Sequence, residues 1–217
     1  MASGYFVLEG CDAAGKSTQI RLLAALLEAR GYAVTVVREP GGTRLGDRIR
    51  AMLLARDDDE RVEPFTSLLL FNASRCQLIE GIVKPALREG RIVLSDRSFI
   101  STLAYQACAE GVDPLFAREL CLRAIGGAMP DKVFFLDISV EETGRRIAAS
   151  RGTCEEKDSR YDLRAAAFHA KVREGYRAQA AAFPGLIETI DGHAPVGEVT
   201  RMLSAAILAH VTKTAFP

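Results

Sequence analysis

The sequence predicts an α/β fold in which a five-stranded parallel sheet is flanked by helices on both faces. Five short apolar runs recur along the 217 residues and alternate with longer stretches of helical periodicity. The runs are rich in Val, Ile and Phe and nearly continuous, as expected for parallel strands buried on both faces. They cover 5–8, 33–37, 91–94, 133–136 and 186–190. This alternation is typical of a doubly wound sheet, in which ligands bind at the carboxyl ends of the strands.

Helical periodicity fills the intervals between these runs. Ile20, Leu23 and Leu27 form one apolar face after the first run, and Gly31 marks its predicted end. A helical pattern over 63–88 predicts a long helix with a kink at Pro85. Further helices are predicted near 101–109, 114–126, 140–149, 163–182 and 196–211. Because no repeat, low-complexity segment or linker interrupts the pattern, we expect a single domain over 1–217.

Composition and charge indicate which classes of binding partner to expect. Hydrophobic residues make up 48% and charged residues 26%, and the 28 basic and 28 acidic residues cancel. Without a net charge or a basic run, we expect no nucleic-acid partner. With no apolar stretch of spanning length and a first strand that leaves no space for a signal peptide, we expect a cytoplasmic protein without a membrane partner. Five cysteines, odd in number and without C-x-x-C spacing, indicate reduced thiols rather than disulfides or a zinc site: Cys11, Cys76, Cys108, Cys121 and Cys154.

A phosphate-binding loop follows the first strand. Residues 10–18 read G-C-D-A-A-G-K-S-T and have the spacing G-x-x-x-x-G-K-[ST]. Gly10 and Gly15 allow a tight turn whose N–H groups converge on phosphate oxygens, Lys16 can reach the outer phosphates, and the Ser17 hydroxyl can ligate Mg²⁺. The alternative is a chance glycine loop, which the strand before it and the helix after it make the weaker interpretation. We expect a nucleoside triphosphate on Gly10, Cys11, Asp12, Ala13, Ala14, Gly15, Lys16, Ser17 and Thr18.

Polar motifs at other strand ends indicate a second substrate site. R-E-P-G-G-T follows the second run at 38–43, and S-D-R follows the third at 95–97. Phe71 and Arg75 lie four residues apart on one helical face. Each alone could be a turn, a capping carboxylate or an ordinary amphipathic helix. Their joint placement at one edge of the sheet favours a binding site.

These motifs and their order resemble the thymidylate kinases, in their bacterial form, within the P-loop nucleoside monophosphate kinases. The resemblance runs through nearly the whole chain and includes F-N-A-S-R at 71–75, S-T-L-A-Y-Q at 101–106 and F-H-A-K-V at 168–172. R-E-P-G-G and the S-x-A-Y-Q stretch are not expected in adenylate, guanylate or shikimate kinases. The resemblance implies the three-layer P-loop kinase fold, phosphoryl transfer from ATP to dTMP with Mg²⁺, and a homodimer.

The resemblance also implies roles for single residues. Arg38 and Arg97 would grip the dTMP phosphate, with Arg50 as a weaker candidate, because the planar arginine fork bonds phosphate oxygens bidentately. The residues expected at the nucleoside are Phe71 stacked on thymine, Arg75 at its O4 edge, Thr102 and Gln106 at its remaining polar edge, and Tyr105 beside the sugar C2′. Residues 190–196, after the last strand, match the place where such kinases accommodate adenine.

Three carboxylates in this region have more than one interpretation. In the family, the acid at Asp12 and the glutamate at Glu39 lie near the acceptor sugar and the metal, but Glu39 could equally bond loop amides. Asp96 could hold a metal-bound water or orient Arg97. Cys11 lies in the phosphate loop, where it could be a reactive thiol or an inert buried one.

A charged segment at about 150–161 is either a solvated surface loop or a mobile lid. Some family members place a catalytic arginine where this chain has Ala13, so the resemblance implies a lid arginine instead, either Arg151 or Arg160. Ser98, Ile100 and Ala107 depart from the usual family residues. Two other functions remain open: a kinase for another deoxynucleotide or nucleoside, and a nucleotide-dependent switch with slow hydrolysis.

Overall fold

A computed structural model describes residues 3–55, 62–150, 161 and 164–215. The strands are β1 (Gly4–Glu9), β2 (Val34–Arg38), β3 (Ile92–Asp96), β4 (Lys132–Asp137) and β5 (Ile187–Asp191). The α-helices are α1 (Lys16–Glu28), α2 (Arg44–Leu54), α3 (Pro64–Leu78), α4 (Lys84–Arg88), α5 (Phe99–Thr102), α6 (Pro114–Ala124), α7 (Val140–Ser150), α8 (Ala166–Ala182) and α9 (Val196–Ala215). Two π-helical segments, Ile79–Val83 and Leu103–Ala109, follow α3 and α5.

The sheet has five parallel strands in the order β2-β3-β1-β4-β5. This confirms the predicted α/β fold class. β1 lies in the centre, and its Leu8 pairs with Asp96 of β3. The loop after β1 and the residues after β3 therefore leave the sheet side by side at its carboxyl edge, where ligands of such sheets bind.

Alternate side chains of β1 enter two separate cores. Tyr5 and Val7 face a cluster that includes residues of α3, α6 and α8, whereas Phe6 and Leu8 face a cluster with α1 and α9. All four are at most 2% exposed. A central strand buried on both faces gives the three-layer arrangement and explains the unbroken apolar run at 5–8.

The structure differs from the sequence prediction mainly in its helices. α2 was not predicted, although Thr43 caps it by accepting the Gly46 N–H at 2.9 Å. The predicted helix over 63–88 is interrupted just before Pro85 by a π-helical segment, in which the Lys84 N–H bonds Ile79 O. Pro85 has no N–H to continue the α-helical ladder, so the irregularity falls on the preceding turn.

The predicted helix over 101–109 is a short α-helix that continues as the second π-helical segment. Within the described segments, no helix is both long and apolar enough to cross a bilayer.

Candidate active site

The loop after β1 is shaped to receive an anion. Gly10 has φ 145°, and a Cβ there would lie 2.7 Å from Leu136 O, so this close approach to β4 requires glycine. Lys16 is buried, and its Nζ donates to Gly10 O at 3.1 Å and Cys11 O at 2.9 Å. Burial and the nearby Arg97 lower the pKa of Lys16. A bound phosphate would compensate that charge, together with the positive N-terminal end of α1.

Ser17 and Asp96 join the first turn of α1 to the end of β3. Ser17 Oγ donates to Asp96 Oδ2 at 2.8 Å. No hydrogen bond joins the Asp96 side chain to Arg97 among the described contacts, but its charge is one of those that raise the pKa of Arg97. Its oxygen and that of Ser17 are hard donors of the kind Mg²⁺ prefers. The described residues contain no group of three or more His, Cys, Asp or Glu side chains able to hold a metal.

Arg97 is held directly against the phosphate loop. Its backbone is left-handed (φ 73°), a sparsely populated conformation for a non-glycine residue. The backbone is clamped because the Arg97 N–H donates to Leu8 O at 3.0 Å and Ser95 Oγ donates to Arg97 O at 2.7 Å. Its side chain donates from Nη1 to Gly10 O at 3.0 Å and from Nη2 to Asp12 Oδ1 at 2.5 Å. Among the described residues, no acceptor is bonded to Nε, so the Nε–Nη2 edge can receive a ligand.

Asp12 connects this arginine to the second π-helical segment. Tyr105 Oη donates to Asp12 Oδ2 at 2.9 Å. Burial raises the pKa of Asp12, but the charges of Arg97 and Lys16 outweigh it and lower that pKa below its usual value. Asp12 is therefore a carboxylate at neutral pH, and the structure brings Tyr105 to the edge of the phosphate loop.

Arg75 is a saturated, fully buried cation. Its side chain is 1% exposed, and each of its five N–H groups has a protein acceptor. The acceptors are Glu39 Oε2 at 2.7 Å, Asn72 Oδ1 at 2.8 Å, Thr102 Oγ1 at 2.9 Å, Ser98 O at 3.2 Å and Cys121 Sγ at 3.8 Å. A hydrogen bond from Arg75 to a base would have to replace one of these, most readily the long contact to sulfur.

Glu39 serves Arg75 rather than the loop amides. Its Oε2 takes the Arg75 hydrogen bond, whereas its Oε1 is buried without a partner among the described residues. Burial raises the pKa of Glu39 to about 7, although Arg75 opposes that rise. Glu39 therefore holds the Arg75 side chain in place. Because its pKa is about 7, it is partly protonated at neutral pH.

Arg38 and Arg50 approach each other above the loop at 40–43. The Cβ position of Gly41 lies 3.6 Å from Arg38 Nε and 3.5 Å from Arg50 Cδ. Arg38 is half exposed and 3.9 Å from Asp47, and Arg50 Nη1 donates to Pro40 O at 3.1 Å. The structure thus brings both predicted arginines to one place, with Arg38 the more accessible.

The remaining predicted base contacts lie on α3, α5 and the second π-helical segment. Phe71 is half buried against the α3–α6–α8 core. Thr102 already accepts from Arg75, and Gln106 Nε2 donates to Glu110 Oε2 at 3.1 Å and Tyr161 Oη at 3.2 Å. The Gln106 amide therefore contacts Tyr161, the last residue of the predicted lid segment.

Both predicted lid arginines, Arg151 and Arg160, lie outside the described residues. Another arginine of this region, Arg146 of α7, was missed in the sequence. It donates from Nη1 to Ala13 O at 3.4 Å and from Nη2 to Gly192 O at 3.0 Å. It thus bridges the phosphate loop and the turn predicted to accommodate adenine. Its spacing of one helical turn from Glu142 was the signal available.

Cys11 lies buried in the phosphate loop, as an unreactive thiol would. Its side chain is 2% exposed, and burial raises its pKa to about 11. The thiolate that a reactive cysteine requires is therefore disfavoured.

Sequence reasoning also missed a buried polar cluster behind Arg97. Glu9, the last residue of β1, is fully buried and accepts hydrogen bonds from Ser98, Ser101 and Tyr176. The available signal was a carboxylate ending an otherwise apolar run directly before Gly10.

Comparisons with known proteins show similarity to thymidylate kinases. A family model described as thymidylate kinase matches residues 8–203. The thymidylate kinase of Cereibacter sphaeroides is 42% identical over 210 residues, which cover 95% of each chain. That of Pelobacter propionicus is 39% identical over 94% of each chain, and that of Geotalea uraniireducens is 39% identical over 96% of this chain and 98% of its own. The similarity therefore includes every motif from the phosphate loop to α8.

Proposed function

The chain belongs to the thymidylate kinase family, as its motifs indicate, and we propose that it carries out the family reaction at the site around Arg97. The γ-phosphoryl group of ATP passes to a phosphate oxygen of dTMP, giving ADP and dTDP. One observation carries the assignment of the site: Arg97 is tied to the phosphate loop through Gly10 and Asp12, and on its Nε edge the Nε–H has no acceptor among the described residues. An acceptor phosphate on that edge lies next to the donor phosphates, as in-line transfer requires.

On the donor side, the loop at 10–18 holds the triphosphate. Backbone N–H groups and the N-terminal end of α1 face the phosphates, and Lys16 exchanges its carbonyl partners for phosphate oxygens. Arg146 lies where it can contact the adenine side of ATP, since it already bridges Ala13 and Gly192.

On the acceptor side, the phosphate needs positive charge more than it needs a base. A nucleotide phosphate is largely a dianion near pH 7, because its second pKa is about 6. Its oxygen can therefore attack the γ-phosphorus as the bond to the β-phosphate oxygen breaks. Arg97 is the proposed main ligand of this phosphate. Arg38 of β2 and Arg50 of α2, which both lie beside Gly41, are proposed as further ligands.

Thymine recognition is assigned to the pocket between α3 and the second π-helical segment. Phe71 offers an aromatic face, and Arg75, Thr102 and Gln106 offer polar groups beside it. Tyr105, fixed by Asp12, borders the sugar. The buried Arg75–Glu39 pair supports this assignment, because it holds the Arg75 side chain rigidly beside Thr102, where a base could replace the long contact to Cys121 Sγ.

Mg²⁺ is the proposed cofactor. Ser17 Oγ and Asp96 Oδ2 are adjacent oxygen donors at the mouth of the loop, which suits a hard cation. They would hold it together with phosphate oxygens and water. When bound, the ion neutralises charge on the phosphates.

We also propose a homodimer in the cytoplasm. Phe65 and Leu69 of α3 and Leu115 and Phe116 of α6 are 44–78% exposed, and the rings of Phe65 and Phe116 stack at 5.7 Å. Burial of such a surface against a second copy removes apolar area from water. Sedimentation of the wild type and of Leu69→Glu tests this: a monomeric wild type would contradict it. The four described cysteines are free thiols, in keeping with a reducing compartment.

A coupled ADP-release assay with ATP and a panel of dTMP, dUMP, dCMP, dGMP and no acceptor tests the function. We expect dTMP to be the best acceptor and the Lys16→Ala variant to lose ADP release with every acceptor. Faster turnover of another monophosphate would favour the other-nucleotide kinase. ATP hydrolysis that is independent of any acceptor would favour the switch.

A further inference from the structure

The Nη1 group of Arg97 contacts α8, whereas its Nη2 group contacts Asp12. Arg97 Nη1 donates to Tyr176 Oη at 3.0 Å. Tyr176 is 1% exposed, and its ring stacks on Phe135 with 5.0 Å between centroids. The neighbouring Gly175 lets α8 approach closely, because a Cβ there would lie 2.9 Å from Ala104 Cα. The phenol is thus seated rigidly where it meets the guanidinium.

Glu9 fixes the hydroxyl of this tyrosine. Its Oε2 accepts from Tyr176 Oη at 3.0 Å and from Ser101 Oγ at 2.6 Å. Its Oε1 accepts from Ser98 N at 2.7 Å, Ser98 Oγ at 3.0 Å and Ser101 N at 3.1 Å. Since a carboxylate only accepts hydrogen bonds, the Tyr176 proton is directed to Glu9 or Ser101. Its oxygen lone pair is therefore presented to Arg97.

We propose that Tyr176, oriented by Glu9 and Ser101, is a positioning residue that fixes the Arg97 guanidinium for the acceptor phosphate. This inference rests on the proposed function, in which Arg97 grips that phosphate. Nη1 is held by Tyr176, Gly10 and, at 3.2 Å, Ser101 Oγ, and Nη2 is held by Asp12, so these four acceptors together define the guanidinium plane. The Nε–Nη2 edge then meets a phosphate without loss of rotamer freedom on binding.

The test removes only the hydroxyl. In the full-length Tyr176→Phe variant, we expect the Kd of dTMP, measured by calorimetry, to rise about tenfold, as for a lost hydrogen bond to a charged group. The inhibition constant of thymidine, which has no phosphate, should change less than twofold. Tyr32→Phe makes the same chemical change in the connection between α1 and β2, outside the site, and should move neither value. Equal weakening of both ligands by Tyr176→Phe, or weakening of neither, overturns the proposal.

A second comparison shows whether the effect passes through Arg97. Arg97→Lys should selectively weaken dTMP, and Tyr176→Phe added to it should weaken dTMP less than twofold further, because the two act as one unit. If Arg97→Lys leaves the ratio of dTMP to thymidine binding unchanged, the phosphate role of Arg97 in the proposed function fails. If it lowers that ratio and Tyr176→Phe adds its full effect, only the positioning role fails. Should Tyr176→Phe not fold, Glu9→Gln is measured with the same two ligands and must show the same selectivity, because Glu9 orients Tyr176 and has no described hydrogen bond to Arg97.

Discussion

For the buried Glu39–Arg75 pair we predict a pH dependence of stability opposite to that of most salt-bridged carboxylates. Most paired carboxylates have a lowered pKa and stabilise the fold above pH 4. Burial instead raises the pKa of Glu39 from 4.5 to about 7, and its Oε1 has no partner among the described residues. The folded state therefore binds the Glu39 proton more tightly than the unfolded chain does. The stabilising contribution is fully present below pH 4.5 and is lost as the pH rises through about 7.

The size of this effect follows from linkage. Each pKa unit corresponds to about 1.4 kcal/mol, so a pKa raised from 4.5 to about 7 corresponds to roughly 3 kcal/mol in total. Between pH 5 and 8, the share lost is about 2–3 kcal/mol. Glu39→Gln does not titrate, so the difference in unfolding free energy between the wild type and this variant should fall by that amount over the same range.

Urea unfolding followed by circular dichroism at pH 3, 4, 5, 6, 7 and 8 measures this difference directly. Glu119→Gln is the matched control, because Glu119 also pairs with an arginine, Arg123, but is 62% exposed. Its difference from the wild type should stay nearly constant. A Glu39→Gln difference that instead grows with pH between 3 and 5 would show that Arg75 outweighs burial, and the reasoning would be wrong.

Three further predictions concern the site. A hydrogen-bonding pocket rejects a base with the wrong polar edge by roughly 10⁴–10⁵-fold, but a base that lacks one methyl by only about 10–200-fold. We therefore expect dCMP to be refused and dUMP to be turned over slowly. Comparable kcat/KM values for dCMP and dTMP would show that Arg75 and Gln106 do not recognise the base. Arg151→Ala or Arg160→Ala should lower kcat at least about 100-fold with little change in the Kd of dTMP, and near-normal kcat in both variants and their double mutant would exclude a lid arginine. Burial should make Cys11 unreactive, so a thiol reagent should inactivate the wild type and Cys11→Ala at equal rates, and protection confined to the wild type by ATP would contradict this.

The sheet and the phosphate loop could be read from the sequence because both are local patterns. Each strand is a short apolar run, and the loop is defined by glycine and lysine spacing within nine residues. The π-helical segments could not be read in this way. A shift of the hydrogen bond from i−4 to i−5 leaves the apolar spacing nearly unchanged, and Tyr105 and Gln106 lie on such a segment. α2 was missed although its buried face, Gly46, Ile49 and Leu53, has helical spacing, because a glycine stands in it.

The polar cluster around Glu9 could not be predicted from the sequence, for a different reason. Glu9 and Tyr176 are 167 positions apart. In the sequence, Glu9 is simply the end of a strand and Tyr176 simply part of a helix face. Only the packing of α8 against the second π-helical segment joins them. Long-range polar contacts of this kind carry no periodic signal, whereas the motif residues around them do.

Arg75 and Arg97 show why residue type alone does not assign a role. Both are arginines in motifs typical of the family, and both are largely buried. Arg75 gives all five of its N–H groups to protein acceptors, so removing its ligand leaves no donor unsatisfied and the side chain shapes the pocket. Arg97 is held by fewer bonds, in a backbone conformation that non-glycine residues rarely adopt, and keeps an edge without a described partner. A donor without a described partner in a rigid setting gains most from an anion. We therefore propose the acceptor phosphate at Arg97, and the expected loss of dTMP binding, but not thymidine binding, in Tyr176→Phe is the decisive measurement.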